Sequence, residues 1–526
     1  MANLTAMNGT RMRGKQYKNR VYVWNGRNRM RKYDGTNWWN SGISRASFTP
    51  TVASIAGSIS GRYRYYVAPV NSRHYDPFGN VVAGIPSAIS AEIVVNSGGV
   101  RVANIPATHE DAQVDKWYIY RNRNGYYDLN VEDEVQDFYY VGQINIGTTQ
   151  FDDTTVTDEA LVGTEVLHFD REIPPTFMYG ELYGDRLFGI GFPIYASGTA
   201  SSAASATVTF GGTACIPDGV VGCIFTSTNG ERYVIIARPT ITSVTLDRAY
   251  NGTISGATFS IFRDPWAGYF SEFQDPEAWG PQGELLRWRR ELPGFDQARA
   301  LVTFDGQLLV FSADAIYVIY GKGPSAEDVK VMPEPLFRGF GAVGGDAVFR
   351  VDDEVYFMSL QGPAVLKVGT APRLIGRPLN TDWQDALDAA EQGLCCVFGW
   401  RNYVWFWVPR AGETSNSRCW RFHRDDSSWW EEDGAHPLFG FIDDGDDGAQ
   451  GQVYYAQGKF IVQPDVGSTD MVPTSGTSYS GTITATTTTT ATDSTAAFPT
   501  TLGGLGEAYV RFYRGTGASE VSLGAR

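Results

Sequence analysis

The sequence predicts an all-β fold, with a β-propeller core of about six blades interrupted by inserted β modules. Three observations lead there. Apolar runs of four to seven residues alternate with turn pairs such as Asp305-Gly306 and Asp352-Asp353, and tight hairpins need residues that tolerate positive φ. Val, Ile, Tyr and Phe fill those runs, as strands with a buried face require. Between Leu301 and Val368 the meander is written twice, at a spacing of about forty-five residues that suits successive blades.

In chain order, residues 1–43 read as N-terminal propeller strands. Arg20 to Gly42 has the pattern of a blade, with Asn25-Gly26 and Asp34-Gly35 as turns. Arg11, Arg13, Lys15, Lys18, Arg20, Arg27, Arg29, Arg31 and Lys32 all precede the first acid, Asp34. Such a stretch suits contact with DNA or an acidic partner. The strand pattern favours the plainer reading, in which cations alternate with buried residues on exposed strand faces. Residues 44–170 carry six or seven candidate strands, among them Gly61–Asn71, Ser87–Asn96, Gly99–Ala107, Asp115–Arg123 and Asp137–Ile146. That spacing predicts an inserted β-sandwich, and the order resembles a fibronectin type III module. His74, His109 and His168 are scattered through it without metal-ligand spacing.

Residues 171–200 return to propeller texture around the turn Tyr183-Gly184-Asp185, and the small residues of Ser197–Ala206 read as a flexible junction. Residues 201–263 read as an inserted small β module and residues 264–470 as the propeller core. Within that core, Trp383, Ala386, Leu387 and Ala390 put one apolar stripe on a short helix over Thr381–Gly393. Residues 471–526, rich in Thr, read as a C-terminal small β module that is incomplete as given.

Composition narrows the classes. A chain of 526 residues should form roughly three to four domains, and its 43% apolar content excludes wholesale disorder. The formal charge of −15 argues against gripping nucleic acid over the whole surface. It is compatible with a conduit through which DNA slides. Five cysteines (Cys215, Cys223, Cys395, Cys396, Cys419) are too few for a disulfide framework. No apolar run approaches the ~20 residues of a membrane helix, and the N-terminus lacks an apolar signal core. An exterior protein without an export signal fits a virus particle assembled in a bacterial cytoplasm and released by lysis.

The segments Phe311–Gly323 (FSADAIYVIYGKG) and Arg338–Val368 (RGFGAVGGDAVFRVDDEVYFMSLQGPAVLKV), preceded by the Asp305-Gly306 hairpin, resemble the tail nozzle family of short-tailed bacteriophages, also called tail tubular protein B. The resemblance spans residues 175 to 465 and includes Asp264–Trp279, which is similar to the family's re-entry into the propeller. Residues 201–263 and the C-terminal stretch resemble small β modules of phage tail proteins. The resemblance implies a homo-hexameric ring that docks a tail adaptor on one side and fibre or tip proteins on the other. Double-stranded DNA would pass through its lumen without sequence-specific binding.

Catalytic chemistry finds little purchase. GxSxG, HExxH, P-loop and GxGxxG patterns are absent and there are only five histidines, so the expectation is no catalytic, cofactor-binding or metal-binding residues and no enzyme activity. Asp443, Asp444, Asp446 and Asp447 carry the carboxylates of a calcium loop without its closing Glu, which favours a solvated turn. The Trp clusters (Trp38-Trp39, Trp405 with Trp407, Trp429-Trp430) fit propeller core or sugar stacking. The alternative function is therefore a phage-borne propeller that binds or hydrolyses host surface glycans.

Overall fold

The structure is a computed structural model. It describes residues 12–26, 28–123, 137–169, 171, 173–191, 195, 198–211, 216, 220–262, 267–279, 289–292, 297–379, 392–410, 412–413, 415–432, 437–443, 452–457 and 460–462, with four short strands beyond. The fold is all-β, as the alternating runs require. The chain forms two compact units, Met1–Leu336 and Phe337–Arg526.

In the first unit, blade 1 is a four-stranded antiparallel meander of Arg13–Tyr17, Arg20–Trp24, Arg31–Tyr33 and Trp38–Asn40. It starts one strand earlier than the sequence pattern indicated, because Lys18 adopts a positive φ of 52° and closes a hairpin without glycine. Blade 2 joins Tyr179–Tyr183, Arg186–Ile190, Ala267–Phe270 and Arg289–Glu291, and blade 3 joins Ala300–Phe304, Gln307–Phe311, Ala315–Tyr320 and Lys330–Val331. The Asp305-Gly306 turn has positive φ at both residues, as its hairpin demands.

The inserted sandwich has one sheet of Phe138–Asn145, Lys116–Asn122, Tyr65–Tyr75 and Val81–Ala83, and a second of Phe151–Asp153, Ile93–Ala103 and Thr51–Tyr63. Two details differ from the sequence reading. Thr51–Tyr63 is a long strand that its small residues concealed. Ile93–Ala103 is one strand, whereas Gly98-Gly99 suggested a break. The glycines serve close approach instead: a Cβ on Gly57 would lie 2.5 Å from the Gly98 carbonyl oxygen, beside an irregular register.

The second insertion is a seven-stranded sheet, ordered Thr253–Ala257, Thr199–Ala203, Thr207–Gly211, Ser243–Leu246, Tyr233–Thr240, Ile224–Ser227 and Phe259–Phe262. It wraps a core that includes Phe210, Phe225, Tyr233 and Phe259. Within the described residues 198–206, the flexible junction expected over Ser197–Ala206 gives way to a strand. Thr199–Ala203 is an interior strand that turns Ala200 and Ser202 inward, an alternation hidden by small side chains. The module also begins before residue 201, since Tyr195 already bridges Ile261. Blade 2 is whole despite the excursion: Phe188 pairs directly with Phe270.

In the second unit, blade 4 comprises Val348–Val351, Glu354–Ser359, Gly362–Lys367 and Arg373–Leu374. Blade 5 comprises Cys396–Trp400, Tyr403–Pro409, Asn416–His423 and Trp429–Glu432, and a three-stranded sheet of Pro437–Asp443, Gln452–Gln457 and Phe460–Val462 follows. Tyr356, Met358 and Val365 of blade 4 pack on Val397, Phe406, Trp420 and Phe422 of blade 5. The predicted helix lies outside the described residues except for its end, where Gln392–Leu394 forms a 3-10 turn. Of the C-terminal module, only the pairs Ala485–Thr486 with Ala491–Thr492 and Tyr509–Val510 with Leu523–Gly524 are described.

Blades 1 and 2 meet over Trp24, Phe177 and Trp279, with Trp24 and Phe177 centroids 5.1 Å apart. Phe177 lies on the cross-strand pair Gly180 and Gly189, where added Cβ atoms would come within 2.7 Å of its ring. Gly189→Ala should therefore overpack this site and cost about 1–3 kcal/mol. Urea unfolding should report it as a lower midpoint with an unchanged slope.

Candidate functional site

The densest chemistry lies in the first unit, where blade 1 runs into the sandwich. The connecting strand end, Asn40 to Ser44, is held by side chains from both sides. Arg29 donates through Nε to the Ser41 carbonyl (3.1 Å), through Nη2 to Gly42 (2.7 Å) and through Nη1 to Asp111 Oδ2 (2.8 Å). Gln113 Nε2 donates to the carbonyls of Asn40 and Gly42. Burial alone would push the Asp111 carboxyl up; Arg29 and the Ser44 and Gln113 amides outweigh it and hold it below the usual range.

A second tie joins three elements. Lys32, fully buried in blade 1, donates through Nζ to the Tyr75 carbonyl (2.7 Å) and to Glu277 Oε2. Glu277 belongs to the loop after Ala267–Phe270. Its Oε1 accepts from the Gly42 amide and lies 3.1 Å from His74 Nε2 of the sandwich. The His74 ring stacks on Trp39 of blade 1, 5.4 Å between centroids. Burial would raise the Glu277 carboxyl, but Lys32 and His74 reverse this and hold it far below the usual range. Its neighbour Asp275 is pushed up to about 6, by burial first and by the Glu277 charge, against Arg171.

Two further clusters follow the same plan. Inside the sandwich, Arg121 pairs with Asp153 and reaches Asp158 Oδ1 (3.0 Å) and the Val156 carbonyl (2.9 Å), while Tyr65 Oη donates to Asp153 (2.9 Å). In the second unit, Arg424 bonds Asp352 Oδ2 (2.7 Å) and Glu354 Oε2 (3.1 Å), and Lys367 and Tyr356 also hold Glu354. That cluster joins blade 5 to blade 4. A cavity of about 750 Å³ also lies in the first unit, lined by Phe48, Tyr66, Ile85, Phe169, Arg238 and Trp279 among others; neither Glu277 nor His74 lines it.

Chemically, these clusters are ties. Each buried carboxylate faces at least one cation, and the Glu277–His74 pair is enclosed by the modules that it joins. Of the residues singled out in the sequence, Arg29 and Lys32 are consumed in internal ion pairs rather than presented to a partner. His74 enters the seam, and His109 sits edge-on to Trp117, its pKa lowered by burial. Trp405 and Trp407 are core, Trp429 packs against the blade 4–blade 5 core, and Trp430 is 41% exposed. Cys223, Cys395, Cys396 and Cys419 are buried; Cys215 lies outside the described residues. So do Asp444, Asp446 and Asp447, while Asp443 ends a strand. Among the described residues, no group of three or more His, Cys, Asp or Glu is placed to hold a metal ion, and no helix is long and apolar enough to cross a membrane.

No protein-family model matches the chain, and no curated protein matches it. Solved structures that align with it include the computationally designed Ika8 protein (10% identity, 84% of this chain and 92% of that chain, TM-score 0.26). They also include a Synechocystis apocarotenoid oxygenase mutant (9%, 78% and 86%, TM-score 0.22) and apo AztD from Citrobacter koseri (8%, 77% and 92%, TM-score 0.21). At these scores the likeness carries no functional argument.

Glu277→Gln should leave Lys32 buried without a counter-charge and cost about 3–5 kcal/mol in urea unfolding. Lys32→Met combined with Glu277→Gln should recover part of that loss, because the uncompensated charge is gone. Asp275 has the opposite sign of linkage. Its folded value exceeds that of an unfolded aspartate (about 4), so stability should fall as pH rises from there to about 6 and then stay level. Asp275→Asn should stabilise the protein above pH 6 and match the wild type near pH 4.

Proposed function

We propose that this chain is a structural virion protein forming the distal tail tube, or nozzle, of a short-tailed bacteriophage. Copies assemble in the host cytoplasm into a homo-hexameric ring that retains the genome and then passes it during ejection. The ring docks a tail adaptor on one side and fibre or tip proteins on the other. The observation that carries this reading is the way blades alternate with inserted modules whose seam is clamped by buried ion pairs, Arg29 to Asp111 and Lys32 to Glu277, with His74 against the same Glu277 carboxylate. A conduit under load needs modules that do not hinge. Ties that saturate their own carboxylates suit bearing force better than turning over a substrate.

The work is then mechanical and electrostatic rather than catalytic. A net charge of −15 disfavours adhesion to phosphate, so the duplex slides without sequence-specific contacts. Electron-microscopy class averages of the purified assembly, viewed down its axis, test the reading. The expected result is a closed sixfold ring with a central hole wide enough for a DNA duplex. Compact monomers or trimers without an axial channel would overturn it.

A further inference from the structure

The three-stranded sheet that follows blade 5 packs its strand Pro437–Asp443 against Cys396–Trp400, the first strand of blade 5. The flank of blade 5 is covered there and open farther out. One cross-strand row records the change: Phe398 pairs with Trp405, Trp405 with Arg421, and Arg421 with Trp430. Along it Phe398 is 1% exposed, Trp405 4% and Trp430 41%. The adjacent row on the same face carries Tyr403 opposite His423. Their ring centroids are 4.9 Å apart, and His423 stands edge-on to Trp430 at 6.0 Å. The Arg421 guanidinium lies 5.0 Å from the Tyr403 ring and 5.6 Å from that of Trp430, which fixes both rings from one side.

Hydrogen-bonding groups border these rings. His423 Nδ1 lies 2.9 Å from Asp426 Oδ1. Asp426 is oriented by the Ser428 amide (2.9 Å) and hydroxyl (2.6 Å) while its side chain remains 59% exposed. The core of a protein interface is depleted of charged residues, Asp included, whereas here the Asp426 carboxylate stands beside His423 at the edge of the rings. A sugar ring suits this surface better. Its C–H face stacks on Trp430 and its hydroxyls find a fixed, exposed carboxylate, Asp426, at the edge. We propose that the outer flank of blade 5, built from Tyr403, Arg421, His423, Asp426 and Trp430, is a carbohydrate-binding surface for the pyranose units of a bacterial surface polysaccharide. The surface itself lies in the second unit and needs no ring assembly, while the choice of a bacterial polysaccharide rests on the phage reading proposed above.

The test is an array of bacterial O-antigen and capsular oligosaccharides probed with the full chain, followed by calorimetric titration of the strongest responder. The proposal expects binding that Trp430→Ala weakens at least tenfold and Trp430→Phe weakens less than threefold. Both variants should keep the wild-type melting temperature within a few degrees, because the ring is largely outside the core. Absence of any bound oligosaccharide would overturn the proposal, as would binding that Trp430→Ala leaves unchanged. Loss of self-association in Trp430→Ala without any sugar binding would also overturn it and reassign the flank to a contact between copies.

Discussion

Glu277 is the point on which the first unit turns. One carboxylate, buried at the meeting of blade 1, the sandwich and the loop after Ala267–Phe270, accepts from Lys32 and the Gly42 amide and faces His74. Placing a lysine in a dry interior is costly unless a charge of opposite sign is already in place. The arrangement gives little net stability over an apolar equivalent, but it is intolerant of error. Any rotation of the sandwich against the blade pulls the Tyr75 carbonyl away from Lys32 and His74 away from Glu277, so the cluster specifies an orientation more than it adds to cohesion.

The same logic recurs at each joint. Arg29 reads the backbone of the connecting strand end through two carbonyls and fixes it to Asp111. Arg121 ties the two sheets of the sandwich together through Asp153, and Arg424 ties blade 5 to Asp352 and Glu354 of blade 4. Guanidinium suits these posts, since its planar fork can satisfy several acceptors at once and stays charged when buried. Apolar contacts such as Trp24 with Phe177 supply the bulk of the attraction between elements, while the charged ties select which arrangement of those contacts persists.

The blades were legible in the sequence because their information is local: Asp305-Gly306 and Asp352-Asp353 carry their turn geometry with them, and period-two runs carry the strands. The ties were not, since Lys32 and Glu277 are far apart in the chain and neither has a partner at a diagnostic spacing. One trace was available. Lys32 shares the inward phase of its strand with the buried Met30, and a lysine in that phase signals a buried counter-charge elsewhere. The error at Ser197–Ala206 has a different source. Small side chains lower the contrast between inward and outward positions, so a strand interior composed of Ala and Ser looks like a linker.

The direct pairing of Phe188 with Phe270 has a consequence for how the chain reaches its fold. These residues lie about eighty positions apart, and closing a loop of that length before any contact rewards it is entropically costly. The seven-stranded module shortens the route, because Tyr195 and Ile261 are bridged at its base. Once that module has folded, the two halves of blade 2 leave it side by side, as if joined by a hairpin of a few residues. The folded insertion thus lowers the entropy lost when blade 2 closes, because the path to be closed runs across its bridged base rather than around the whole intervening chain.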